Sequence, residues 1–349
     1  MRIRLVRSLC LGLTILATTA VAPIPALAIP AFARKYGLPC SACHEAWPKL
    51  NNFGQVFRDN GYQLGNDRDA AIYQAPSYWP STIRITPQWH RESTNRAAVD
   101  SVAGDPNSGT AEARLKASGF DLSGMDLITA GTLAKNISFM VLPSSDETGA
   151  FHFESAWIRF DNLLGSHWLN LKFGKHELDL PVSEHRSLML SAEGSGYQTY
   201  HFAPINPFSS GTTSSFGGIG DNQLGLELAG HSKNSYTRYA FSVLSNNGGN
   251  VALPASGGYD YYAHFSQAFE LPRLGLQRVG AYAYFGQAPT YFLTSGGVAI
   301  PGAGQGDRSF YRAGVYGQWS VGKFDLATLF MHGRDSAFLG TGTPEPSWA

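Results

Sequence analysis

The residues with the plainest chemistry are the run Cys40-Ser41-Ala42-Cys43-His44. Two thiols separated by two residues and followed at once by an imidazole make C-x-x-C-H, the attachment signature of c-type haem. The spacing has a mechanical reason. The two cysteines hold the porphyrin through thioethers, and the adjoining His44 brings its ring to the iron as the proximal ligand. Other uses of a cysteine pair fit less well. A structural zinc site needs further ligands at matching spacing, a thioredoxin-like site needs a βαβ setting, and a disulfide leaves His44 without a role. Of the three cysteines in the chain, Cys10 lies in the N-terminal apolar stretch, so the pair stands on its own.

A distal haem ligand is not legible nearby. Between Ile29 and Tyr78 there is no methionine and no histidine besides His44. A sixth ligand must come from later in the chain, unless the iron is five-coordinate or binds water. The methionines there are Met125, Met140, Met189 and Met331, and the histidines on apparent strands include His90, His152 and His176. His90 and His176 fall on the polar faces of their strands and stand first, although such side chains more often simply fill an interior. Glu177, Asp179, Glu184 and His185 form a candidate external iron site, against the plainer reading of solvated loop charges.

These groups need elements to hold them. Downstream of the motif, Pro48 suits a first helical turn and Leu50, Phe53 and Phe57 recur on one helical face. Asp59-Asn60-Gly61 reads as the stop. The stripe is expected to cover the porphyrin, because residues 29–75 are too few for a core without a cofactor. Upstream, Arg2, Arg4 and Arg7 precede an apolar stretch and Ala26-Leu27-Ala28, the pattern of a signal peptide cleaved after Ala28 rather than of a retained anchor. Of the 26 basic residues, these three arginines leave with it, so 23 bases face 26 acids in the mature chain. That balance excludes the basic footprint of a nucleic-acid-binding protein.

From about residue 80 the period becomes two. Tyr259, Tyr261, Ala263 and Phe265 alternate with Asp260, Tyr262, His264 and Ser266, and Leu169, Leu171 and Phe173 with Asn170 and Lys172. Leu224, Leu226 and Leu228 oppose Gln223 and Glu227, and Tyr311, Ala313 and Val315 oppose Arg312, Gly314 and Tyr316. Segments of about ten residues with one apolar and one polar face are the signature of a transmembrane β-barrel. The low charged fraction, 15%, and the 39 glycines agree with it. A soluble sandwich also alternates, but here aromatics crowd the strand ends and short turns alternate with long loops, as in outer-membrane barrels.

Eleven strands are expected: 81–91, 125–134, 137–145, 151–161, 167–177, 221–230, 236–245, 259–269, 276–286, 309–320 and 323–333. The stretch 92–124 reads as a long outer loop, with a twelfth strand at 111–121 as the alternative. Because single-chain bacterial barrels have an even number of strands, eleven implies an incomplete barrel. In that case the strand near Ile83 is not paired with the one near Phe330.

The run Pro30-Ala31-Phe32-Ala33-Arg34, the C-x-x-C-H motif, Pro48, Leu50-Asn51, Phe53-Gly54, Phe57 and Gly61-Tyr62 closely resembles the fused monohaem cytochrome c–porins of the outer-membrane iron-oxidase type. Phe173 to Pro181 is similar to that family's barrel. The resemblance is specific over residues 30–62. It implies a fold that is mainly β, with a small helical haem domain over residues 29–78 and, over residues 79–349, about eleven strands of a family barrel of about sixteen, incomplete at the C-terminus. It also implies one haem c, uptake of electrons from extracellular Fe(II) or another donor, a periplasmic cytochrome as acceptor, and a setting in outer-membrane lipid. Two other readings stay open: a diffusion porin in which the haem domain is a structural plug or gate, and a soluble periplasmic cytochrome carrying a β-sandwich.

Replacing both thiols, Cys40→Ser with Cys43→Ser, is expected to abolish covalent haem staining in a denaturing gel. Staining that persists in the double variant contradicts the haem assignment.

Overall fold

Strands with one apolar and one polar face pair with their sequence neighbours when the connections are short, and that rule builds most of this chain. The computed structural model describes residues 31–45, 49–66, 69–71, 80–105, 107–145, 149–182, 222–246, 249, 251, 258–289, 291–293, 299–301, 307–322, 324–336 and 347–348. Three short helices come first: α1 (Ala31–Tyr36), α2 (Cys40–Cys43) and α3 (Asn52–Asp59). Then follow β1 (Ser81–Asp100), β2 (Thr110–Ala134), β3 (Ile137–Ser145), β4 (Phe151–Phe160), β5 (Asn170–Glu177), β6 (Asn222–His231), β7 (Thr237–Ser245), β8 (Tyr259–Leu271) and β9 (Gly275–Pro289). A small hairpin, β10 (Tyr291–Leu293) with β11 (Ala299–Pro301), precedes β12 (Asp307–Val321), β13 (Phe324–Asp335) and β14 (Ser347–Trp348).

One antiparallel sheet of twelve strands runs in the order β1 to β9, then β12, β13 and β14. The protein is therefore mainly β and of the outer-membrane barrel type, and every one of the eleven expected strands is present in the sheet. Among the described residues β1 and β13 are not paired, as expected, but the count of eleven is corrected, because β14 pairs with β13 as a twelfth strand. The N-terminal helices reach both β1 and β13. Ala31 N–H donates to Thr82 Oγ1 at 2.9 Å and Arg34 to the Ser81 carbonyl at 2.9 Å, while Lys49 Nζ lies 2.9 Å from Asp325 Oδ1 on β13. The sheet thus wraps around the helical segment.

The stretch 92–124 is corrected. It is not a long loop and holds no extra strand. β1 and β2 run on together as a hairpin as far as Asp100 opposite Thr110. β2 pairs with β3 only from Met125 onward, so the outer part of the hairpin stands beyond the rest of the sheet. Polar residues such as Glu112, Arg114 and Lys116 hide this strand in sequence, because it buries neither face.

The alternation has inverted polarity. On β8, Tyr259, Tyr261 and Phe265 point outward and are exposed, whereas Asp260, Tyr262, His264 and Ser266 are buried. Phe173, Leu226, Phe241, Phe285, Val315 and Phe330 extend the apolar outer surface, and Lys172, Glu227, Arg238, Arg278 and Arg312 face in. A soluble sandwich buries its apolar face; this sheet presents that face outward, as lipid requires. Trp168 and Tyr239 stack with centroids 6.4 Å apart near the short-turn end, where an interfacial girdle belongs.

A charge on the outer face should therefore cost more than one added to a protruding hairpin. Phe265→Arg is expected to destabilise the bilayer-inserted protein by about 2–4 kcal/mol, read as a lower urea midpoint in liposomes, whereas Leu115→Arg should leave the midpoint in place.

Candidate functional site

The C-x-x-C-H run forms a single tight turn. α2 is only four residues long, and the His44 N–H donates back to the Cys40 carbonyl at 3.0 Å before the chain turns to extended geometry. α3 is pressed against this turn. Asn51 caps α3, its side chain accepting from Gly54 N–H at 2.9 Å, while its own N–H donates to the Cys43 carbonyl at 2.9 Å. A Cβ on Gly54 would sit 2.2 Å from that carbonyl oxygen, so only glycine permits the approach. The helix ends as expected at Asp59, and Gly61 turns the chain at φ +73°.

Two details of the sequence reading change. α3 starts at Asn52, not around Pro48, which lies outside the described residues, and Leu50 instead bridges to His44 in extended backbone. The apolar stripe also divides. Phe57 is buried against Tyr36 and Tyr62, while Phe53 is exposed. Capping by Asn51 sets the helix start, and the aromatic cluster around Tyr36 sets which face turns inward.

That cluster joins the helical segment to the sheet. Phe32 stacks on Tyr62 at 4.6 Å, Tyr62 on Trp157 of β4 at 6.3 Å, and Met140 of β3 packs on the same group. The Tyr36 hydroxyl donates to the Tyr62 carbonyl at 2.7 Å and lies 2.8 Å from Asp69 Oδ1. Beside the cluster lies a cavity of about 820 Å³ between the helices and the inner face of the sheet. Cys40, Cys43 and His44 line it together with Phe32, Leu50 and Phe57.

The donor set suits haem c. Both thiols are free, and burial, helped by Cys40, pushes the Cys43 thiol up, so it is protonated at neutral pH. The cavity volume falls within the range of cofactor sites, roughly 300–1,000 Å³. Its wall mixes aromatic and aliphatic side chains with cations, including Arg58, Lys172 and Arg278.

Of the barrel candidates for the sixth position, His176 is fully buried on β5 and lines this same cavity. Its Nδ1 faces the Gly174 carbonyl at 2.9 Å, and its Nε2 is 3.8 Å from Glu227 Oε2. His90 has its backbone on β1 opposite Gly119, and its side chain lies outside the described residues. Met140 and His152 also line the cavity, as does His231, which sequence reasoning missed. His231 shares the inward face with Gln223 and Glu227, and extending that strand by one residue would have found it.

The external iron site is corrected. Asp179 is not a solvated loop residue, and Glu184 and His185 lie outside the described residues. Residues 178–182 fold inward as a strap across the interior. Leu178, Leu180 and Val182 are fully buried with Tyr262, Tyr284, Phe310 and Met331. Burying these three apolar side chains carries Asp179 in with them, and its charge is met there. Arg238 Nη2 contacts Asp179 Oδ1 at 2.6 Å, His264 Nδ1 lies 3.3 Å from Oδ2, and the Tyr262 hydroxyl donates to the Asp179 carbonyl at 3.0 Å.

Arg238 also reaches the helical segment. Its Nε lies 2.9 Å from Asp59 Oδ2. Burial works against ionising Asp59, yet Arg238, Arg58 and His231 together hold its carboxyl down at about 2. Arg159 on β4 adds a donor to the Arg58 carbonyl at 2.7 Å and pairs with Asp161.

No protein-family model matches the chain, and no curated protein matches it. Among solved structures it is similar to a loop L8 deletion mutant of OmpT, an outer membrane protein of Vibrio cholerae, with TM-score 0.37 and 10% identity, covering 75% of this chain and 72% of that one. It is similar to OprB of Pseudomonas putida with TM-score 0.36 and 10% identity, over 75% and 71% of the two chains. Neither likeness bears on residues or activity.

Removing the shared cation should loosen the helical segment. Arg238→Leu leaves Asp59 and Asp179 buried together and is expected to cost about 3–5 kcal/mol, whereas Asp59→Asn should cost less because Arg238 keeps Asp179. The sign of the pH dependence follows from Asp59, whose folded pKa is depressed. Its stabilisation is complete above the ordinary carboxylate value near 4 and is lost as pH falls toward about 2. Near-ultraviolet circular dichroism of the Tyr36–Tyr62–Trp157 cluster against urea, repeated from pH 6 to pH 2, measures both effects.

Proposed function

We propose that this chain is an outer-membrane c-type cytochrome that moves electrons between an extracellular donor, Fe(II), and a periplasmic acceptor protein. The observation that carries the reading is the placement of Cys40, Cys43 and His44 on the wall of a cavity of cofactor size inside a barrel-type sheet. Cys40 and Cys43 would hold haem c covalently, with His44 as proximal iron ligand and His176 or another inward residue available to the distal side. When bound, haem supplies a one-electron couple at a depth in the membrane that a bare bilayer cannot offer.

The chain's own residues account for the rest. The outward apolar side chains hold the sheet in lipid, and the inward polar ones keep charges such as Lys172 and Glu227 paired within the interior. The aromatic cluster and the Asp59–Arg238 pair fix the helical segment against the wall, so the motif has one position relative to the sheet. The strap 178–182 fills interior volume that a wide channel would leave to water.

A diffusion porin with a haem-bearing plug is the second reading. The barrel architecture with its polar inner face favours it over the first, whereas the C-x-x-C-H turn and its cavity favour the first. Stopped-flow mixing of the purified ferric protein with Fe(II) separates them. Growth of the reduced haem spectrum is expected, and an unchanged ferric spectrum from pH 2 to pH 7, together with solute conductance in a planar bilayer, favours the porin.

A further inference from the structure

At the short-turn end of the sheet, His167 and His231 lie side by side outside the C-x-x-C-H turn. His167 belongs to the connection between β4 and β5, and His231 is the last residue of β6. The His231 N–H donates to the His167 carbonyl at 3.1 Å, and the Asn170 side chain donates to the same carbonyl at 3.0 Å. The His231 N–H thus ties the turn that carries His167 to the end of β6, and Asn170 at the start of β5 braces the turn from its other side. The ring centroids are 5.6 Å apart, with the planes at 47°.

The nitrogens of the two rings are unequally engaged. His231 Nδ1 faces the Ser232 carbonyl at 3.0 Å and, as the only partner that can donate there, carries the proton. That leaves Nε2 with a lone pair. Nε2 of His231 and Nδ1 of His167 are both buried and have no hydrogen-bond partner, so the rings do not bond to each other. His231 is 4% exposed. A buried acceptor without a donor is costly unless something fills it.

We propose that His167 and His231 form a two-imidazole site for a divalent transition-metal ion, with water completing the coordination. The spacing suits it. With metal–nitrogen bonds of about 2.0–2.1 Å and the ring centroid about 1.1 Å further on, two imidazoles at a tetrahedral to trigonal angle place their centroids about 5–5.5 Å apart. The Nδ1–H···O=C contact of His231 is the outer-shell arrangement that fixes a ligating tautomer. Asp59 interacts electrostatically with His231, and its charge is shared with Arg238, which lies opposite His231 across the β6–β7 pair. Lys233, which interacts electrostatically with His167, is exposed to solvent, which screens it. Imidazole donors favour Ni²⁺, Cu²⁺ and Zn²⁺, with Cu²⁺ the tightest. His231 also lines the cavity proposed for the haem, but none of the donors belongs to the C-x-x-C-H turn, so the site can form whether or not haem is attached there.

The test is Cu²⁺ titration of the full-length purified protein in detergent, followed by electron paramagnetic resonance and competition with Zn²⁺. One tight equivalent with hyperfine coupling to two imidazole nitrogens is expected. His231→Gln and His167→Gln should each weaken it by more than about 100-fold, while His332→Gln leaves it unchanged. Heat-modifiable migration in gels reports that each variant is folded, and should His231→Gln fail there, His167→Gln in its surface turn decides alone. A wild-type protein without a tight equivalent, or a folded His167→Gln variant that keeps the affinity and the two-nitrogen spectrum, overturns the proposal.

Discussion

Arg238 is the side chain on which the interior arrangement turns. Projecting inward from β7, it contacts Asp59 at the end of α3 and Asp179 on the strap. The sheet, the helical segment and the strap thus share one buried cation. Two carboxylates brought this close repel each other unless a cation sits between them, and Arg238 makes the shortest contacts to both, with Arg58 further off at 3.9 Å from each. Apolar burial then completes what the charge aligns, with Phe57 and Tyr62 on one side and Leu178, Leu180 and Val182 on the other.

This arrangement answers a difficulty that any inside-out sheet faces. Lipid requires an apolar outer face and fully paired backbone, which leaves an interior lined by charge. Small barrels fill that interior with side chains, and larger ones with inserted chain. Here the filling is done by a helical segment carrying a cofactor motif and by a five-residue strap. Cys43 and His44 of that run are half-buried on the cavity wall, and charges on the inner face are paired with one another, as in Lys172 with Glu227 and Arg159 with Asp161.

The same filling bears on the competing functions. A porin needs a continuous aqueous path, whereas a redox protein needs a fixed cofactor position and limited solvent. The Tyr36–Phe57–Tyr62 cluster at the cavity edge suits the proposed redox role, and the polar inner face of the sheet suits a porin. The paired histidines are placed by a backbone contact at the turn end, where His231 reaches the wall of the same cavity.

The sequence by itself determined the elements whose signals are local. Period two along Tyr259 to Ser266 marked both the strand and its faces, because each residue's orientation depends only on its parity. The spacing of Cys40, Cys43 and His44 put three reactive side chains into one turn, on which the proposal of a haem rests. Only the tertiary structure decided what depends on distant partners. Arg238 and Asp59 stand 179 residues apart, and nothing in either neighbourhood announces the other. Asp179 looked like a loop charge until Leu178 and Leu180 carried it inward, and the β1–β2 hairpin looked like a loop because a strand exposed on both faces has no hydrophobic period to show. His176 and His231 took their places for the same reason: strand parity turns a side chain inward, but only the packed helices determine that a cavity lies in front of it.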